Sequence, residues 1–204
     1  MPLNLLTVEQ LTAAFQLGQT AFPELSLRAV DLGYCKLPLI NLEGVDLQRA
    51  NLHRALLPGA YLVRANLHHA NLSKANLLGA DLIRADLYEA DLSNALMSMA
   101  NLTGANLSQA CLRGVSLSGA VVRAATLKGV DLSNANLSNA DFTGANLTGA
   151  IMRGAILSNT TFHYTVMPDG SCLISEGDEQ LERPDISFSN LAAYTRLAHH
   201  LKSR

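Results

Sequence analysis

The sequence predicts an all-β solenoid, a rod in which every five residues form one unit and the chain turns a corner after each. Three observations carry this prediction. A central apolar residue recurs at every fifth position, from Leu32 through Leu37, Leu42, Leu47 and Leu52, with Met97, Val122, Phe142, Met152, Phe162 and Met167 as the only non-leucine occupants. Two residues before each centre stands a small residue, alanine without exception from Ala50 to Ala110, with Val30, Cys35, Ile40, Thr160 and Thr165 towards the ends. No insertion breaks the phase, and an unbroken internal period is the mark of a repeat architecture.

Five is the wrong period for either common element. On an α-helix each five-residue step overshoots a turn by about 140°, so the leucines would wind around every side. On a flat strand an odd period sends alternate leucines to opposite faces. A corner after each unit removes the conflict. The leucine and the small residue then both point inward in every unit, and coils stacked at ~4.8 Å share one core.

Composition agrees and narrows the function. The 15 Lys and Arg against 17 Asp and Glu leave a formal charge of -2, which excludes a strongly basic or strongly acidic binder. Charged residues are only 16% of the chain, low for an ordinary globular surface. The three cysteines, Cys35, Cys111 and Cys172, are odd in number and far apart, so they form no disulfide framework and point to a reducing, cytoplasmic setting. The opening MPLNLLTVEQ has no basic region before its apolar residues, unlike a signal peptide. No apolar run approaches the roughly 18 residues of a membrane span.

The stretch ANLSKANLLGADLIRADLYEADL, residues 70–92, states the motif: a small residue, Asn or Asp, Leu, and two variable positions. It resembles the pentapeptide-repeat family, whose motif is Ala-Asn/Asp-Leu-x-x. The resemblance covers residues 20–168 and implies a right-handed quadrilateral β-helix of about seven coils.

Outside the repeat, TVEQLTAAFQLG at 7–18 reads as a short helix with Thr7 and Gln10 as a capping box and Gly18 as the stop. Residues 1–19 are therefore expected to form an N-terminal cap. The turn Met167-Pro168-Asp169-Gly170-Ser171 ends the register. A similar helix and a similar exit occur in cyanobacterial pentapeptide-repeat proteins, including the group of the heterocyst-pattern regulator, which acts by binding a transcription factor. Residues 169–204 form an acidic tail with Glu176, Asp178, Glu179, Glu182 and Asp185. Leu191, Tyr194, Leu197, Ala198 and Leu201 then fall at helical spacing after a candidate cap at Asn190. Three roles are open to that helix: covering the last coil, pairing two copies in a homodimer, or staying mobile.

No residue set supports catalysis, a cofactor or a metal. His68 and His69 share a face with Tyr88 and Glu89 one coil on, whereas His53 lies on another face and His163, His199 and His200 are remote. A metal needs three or four converging ligands, so surface histidines are expected. Cys35 fills an inward small-residue slot, and Cys111 stands outside with no histidine near it to activate it. The quinolone-resistance members of the family mimic duplex DNA and bind gyrase, which needs a strongly negative rod. Residues 22–168 carry 11 Lys and Arg against 10 Asp and Glu, so the rod is near neutral.

One part of the outer surface is not generic. Leu56, Pro58, Leu78, Leu96 and Met99 fall on one face, Tyr61, Val63 and Ile83 on the next, and Arg64 and Arg84 in one column beside them. Contiguous outward apolar residues mark contact sites. From about residue 100 to 160 the outward positions are mainly Ser, Thr, Asn and Gly. The reading is a non-enzymatic, regulatory protein–protein interaction module that binds another protein, not nucleic acid or membrane, through this face. A structural spacer without a specific partner and a DNA-mimic gyrase binder are the alternatives.

Overall fold

The computed structural model describes residues 7–22 and 25–173. The expected acidic tail and its helix lie outside the described residues. The first element is helix α1, Val8–Gln16. Thr7 caps it: its Oγ1 accepts from the Gln10 N–H at 3.2 Å, and the Gln10 Oε1 accepts from the Thr7 N–H at 2.9 Å. The first turn thus has two of its orphan groups satisfied reciprocally. Leu11 is fully buried in the same core as Phe22 and Leu27, and Val8, Ala14 and Phe15 pack against that core.

From Ala21 onward the chain forms parallel bridges between residues twenty apart, from Ala21↔Asn41 to Asn146↔Val166. Twenty residues are four five-residue units, so each coil has four sides. The leucine line is buried from Phe22 to Leu147 and the small-residue line from Ile40 to Ala155, with Val30, Cys35, Met152, Leu157 and Phe162 partly buried towards the ends. Stacking makes that core continuous, because each coil closes its neighbours.

In the unit Asn71–Ala75 every backbone N–H has an acceptor. Asn71 donates back to the Ala50 carbonyl at 2.9 Å, while Leu72 and Lys74 donate forward to Asp91 and Ser93 at 2.7 and 2.8 Å. Ala75 closes the turn on the Leu72 carbonyl at 3.0 Å. The remaining donor, Ser73, is held at 3.1 Å by Oδ1 of Asn71. That last bond explains the Asn/Asp of the motif. A short side-chain acceptor satisfies the N–H two residues on, the one donor that neither adjacent coil can reach.

Each corner carries a second demand. Every fifth residue from Ala29 to Tyr164 has a positive φ, the third position of a type II turn. Glycine is favoured there, yet Arg, Asn, Tyr, Leu and Met also occupy it. No β-branched residue does, because that backbone region is closed to branched side chains. Ala124, with φ 52°, tests the point. Ala124→Gly should stabilise the rod by about 1 kcal/mol and Ala124→Val should destabilise it by about 2 kcal/mol. Denaturant midpoints that move in the same direction for both variants would contradict the turn assignment.

At the far end the repeat stops by reversal. Strand β1, Thr165–Val166, pairs antiparallel with β2, Cys172–Leu173. Thr165, in a small-residue slot, is fully buried, and its hydroxyl donates to the Phe142 carbonyl at 2.7 Å. Among the described residues no helix is long and apolar enough to cross a membrane.

Candidate partner-binding surface

The sides of the coil separate the outward residues into columns spaced by twenty. Leu56, Asn76 and Leu96 bridge in one column, and Tyr61 and Asp81 in the next. Each stands where the motif places Asn or Asp. At Asn76 and Asp81 the side chain caps the N–H of Leu78 and Ile83, both at 3.1 Å. Leu56, Tyr61 and Leu96 cannot do so. After Leu56 the capped residue is Pro58, which has no N–H. After Tyr61 and Leu96 the N–H groups of Val63 and Ser98 have no protein acceptor among the described residues.

Tyr61 is 50% exposed, Leu96 52% and Met99 68%, with Leu56 and Leu78 also exposed. Val63 and Ile83 are half-buried instead. Arg64 and Arg84 are exposed, and neither forms an ion pair among the described residues. Both sit at positive-φ corners, φ 56° and 55°, which throws their side chains outward at the edge of the patch.

Glycine makes room for two of the large residues. A Cβ on Gly59 would lie 2.6 Å from Cδ2 of Leu39, and one on Gly119 would lie 2.6 Å from the Sδ of Met99. Leu39 and Met99 therefore lean over the glycine one coil on. Leu39 is exposed, as is Tyr34, and the sequence reading omitted both. Tyr34 lies edge-on to His53 at 5.7 Å, with the Arg54 guanidinium 5.8 Å from its ring centre. Outward apolar residues at two adjacent corners of the first complete coil were the available signal. The far half is also less uniform than expected, since Ile151 and Ile156 are exposed.

The chemical candidates resolve into surface pairs. His68 Nε2 lies 2.7 Å from Asp86 Oδ2, and His69 Nδ1 lies 3.1 Å from Glu89 Oε2. The His68 ring is 5.3 Å from that of Tyr88. Each histidine thus faces its own carboxylate, and among the described residues no three ligand-type side chains converge. A serine–histidine contact does occur, His53 Nδ1 to Ser73 Oγ at 2.8 Å. The Ser73 hydroxyl donates to Asn71 Oδ1, which leaves its proton directed away from the imidazole that a base-activated nucleophile would need. Burial, and then the Asp31 carboxylate, push the Cys35 thiol above its usual range, the opposite of activation.

A four-sided coil with a shared apolar core and variable residues at its outward positions is a β-solenoid. The pattern defining pentapeptide repeats matches this sequence in 8 copies, over residues 26–62, 60–98, 90–119, 100–139 and 125–163. The chain belongs to the pentapeptide-repeat family, whose fold is the right-handed quadrilateral β-helix.

The chain is similar to several solved structures. One is trypsin-treated QnrB1, a plasmid-mediated fluoroquinolone resistance protein, with a TM-score of 0.65 and 20% identity over 69% of this chain and 70% of that one. Two cyanobacterial pentapeptide-repeat proteins are also similar. HetL from Nostoc sp., involved in heterocyst differentiation regulation, is 28% identical over 82% of this chain and 100% of its own, with a TM-score of 0.39. Rfr23 from Cyanothece is 29% identical over 66% of this chain and 88% of its own, with a TM-score of 0.27. No curated protein matches the chain.

Proposed function

We propose that this protein is a regulatory interaction module that binds a partner protein through the face formed by Leu56, Tyr61, Val63, Arg64, Leu78, Ile83, Arg84, Leu96 and Met99. In this reading residues 20–168 are a rod of about seven coils, and α1 covers its first coil. A module without chemistry of its own acts by occupying its partner.

The observation that carries the proposal is the exchange at Tyr61 and Leu96. There a capping side chain is replaced by a large apolar one that is half exposed, so the rod forgoes a turn hydrogen bond and gains no burial. Local rules broken without a folding gain mark functional positions. Arginines that form no ion pair among the described residues, beside an aromatic and several aliphatic residues, suit a protein contact. The near-neutral rod does not favour the gyrase-binding reading, and a bland spacer would not need the apolar columns.

The test is capture of a partner by the immobilised chain, repeated with Tyr61→Asp and Leu78→Asp. Both should lower capture at least tenfold with an unchanged circular dichroism spectrum, while Ser118→Asp, on the same side of a later coil, should retain it. Arg64→Glu and Arg84→Glu should slow association more than they speed dissociation, because rim charges steer encounter. Normal capture by the Tyr61 and Leu78 variants would place the site elsewhere.

A further inference from the structure

Between Asp46 and Asp81 the chain has no acidic residue, yet it holds Arg49, Arg54, Arg64 and Lys74, and Arg84 follows soon after. Four of these cations border the apolar faces. Arg54 and Lys74 lie at the corner that precedes the face of Leu56 and Leu78, and Arg64 and Arg84 at the corner that follows the face of Tyr61, Val63 and Ile83. All four are exposed, with φ between 55° and 59°. The corner that the two faces share is Gly59 and Gly79, and a Cβ on Gly79 would meet nothing within 4 Å. An apolar strip therefore runs along the rod around a bare corner, with a cationic rail on each side.

Other cations of the rod are matched. Arg28, Arg113 and Arg123 each pair with an aspartate of the next coil, and at another corner His69 meets Glu89 at 3.1 Å. None of Arg54, Arg64, Lys74 and Arg84 has an ion-pair partner among the described residues. Each rail instead sets like charges twenty residues apart, Arg54 beside Lys74 and Arg64 beside Arg84, and like charges on adjacent strands repel. Arg54 leans on the Tyr34 ring at 5.8 Å, which leaves its charge uncompensated. Asp81 is the acid within the strip, and its Oδ1 accepts from the Ile83 N–H; Glu43 stands one coil before Val63.

We propose that the partner docks an acidic amphipathic helix here, its apolar stripe flanked on both sides by carboxylates; this rests on the reading of the face as partner-binding. The stripe lies along the strip and the carboxylates meet the two rails. Charge complementarity at both edges fixes the orientation of the helix, and arginine forks suit carboxylates. The spacing also fits. Helix turns are about 5.4 Å apart and coils ~4.8 Å apart, so apolar residues on one helix face reach successive coils. A nucleic-acid duplex would satisfy the rails but leave Tyr61, Leu78 and Ile83 against phosphate and sugar.

Three fluorescent helical peptides of about 14 residues, roughly four turns, test this on the full chain. They share one leucine stripe and carry Glu, Gln or Lys on both flanks. The Glu peptide should bind at least tenfold more tightly than the Gln peptide and the Lys peptide most weakly, with salt removing most of the difference. Tyr61→Ser/Leu78→Ser should lower binding of the Glu peptide at least tenfold. Arg54→Glu/Arg64→Glu/Lys74→Glu/Arg84→Glu, with an unchanged circular dichroism spectrum, should make the Lys peptide the tightest. Equal binding of all three peptides that is lost in Tyr61→Ser/Leu78→Ser would overturn the acidic partner while keeping the face as a site. Absence of binding, or binding of the Glu peptide that Tyr61→Ser/Leu78→Ser leaves unchanged, would overturn the proposal, with partner capture still the separate test of the face. A DNA duplex that binds more tightly than the Glu peptide and displaces it would assign the rails to nucleic acid and overturn it equally.

Discussion

Leu107→Lys should unfold the middle of the rod, with a loss of at least about 4 kcal/mol, whereas Ser108→Lys should change stability by less than about 1 kcal/mol. Leu107 is fully buried between Leu87 and Leu127, the leucines of the coils on either side. A lysine there has no partner in a dry interior, and an isolated buried charge is among the costliest changes a fold can suffer. The damage would not stay local, because each coil is stabilised mainly by its two neighbours. Ser108 differs only in pointing outward. Its hydroxyl donates to Asn106 Oδ1 at 2.8 Å, and its N–H makes the motif's capping bond to the same oxygen at 3.1 Å. A lysine loses the first bond and keeps the second. Thermal melts that fall together for the two variants would refute the inward and outward assignment.

The second expected result separates stability from recognition. Tyr61→Asn together with Leu96→Asn should raise stability by about 2 kcal/mol, roughly 1 kcal/mol for each restored hydrogen bond, and should lower partner capture at least tenfold. Asparagine at these positions would accept from the Val63 and Ser98 N–H groups as Asn101 does from Thr103 at 3.1 Å. Gains of this kind often come at the expense of function where a site departs from its structural optimum. Denaturant titration and the capture assay decide the outcome. A stabilised variant that still binds would remove Tyr61 and Leu96 from the site. A destabilised variant would show that their side chains serve the fold.

How much was legible in the sequence depends on the range of the interaction. The inward lines were readable because Leu and Ala repeat within each five-residue unit, and the helix start signals at Thr7 and Gln10 and the stop at Gly18 are local in the same sense. The exposed columns at Leu56, Tyr61, Leu78, Leu96 and Met99 were readable once a coil length of twenty was assumed. Tyr34 and Leu39 were missed because nothing within their own units distinguishes a packed corner from an open one. The outward isoleucines Ile151 and Ile156 look like ordinary substitutions in the sequence, and their exposure in the last described coil is visible only in the structure.

The sequence by itself therefore determined the period and the inward and outward sets, both of which follow from patterning within five residues. Only the tertiary structure decided what that period does between coils. It showed that the Asn/Asp side chain satisfies the one donor neither neighbour can reach, and that every corner must hold a left-handed residue. It also showed that Gly59 and Gly119 seat Leu39 and Met99, and that the chain leaves by folding back on its last coil. These features depend on atoms twenty residues apart in sequence but only one strand spacing apart in space, and a one-dimensional pattern carries no measure of that distance.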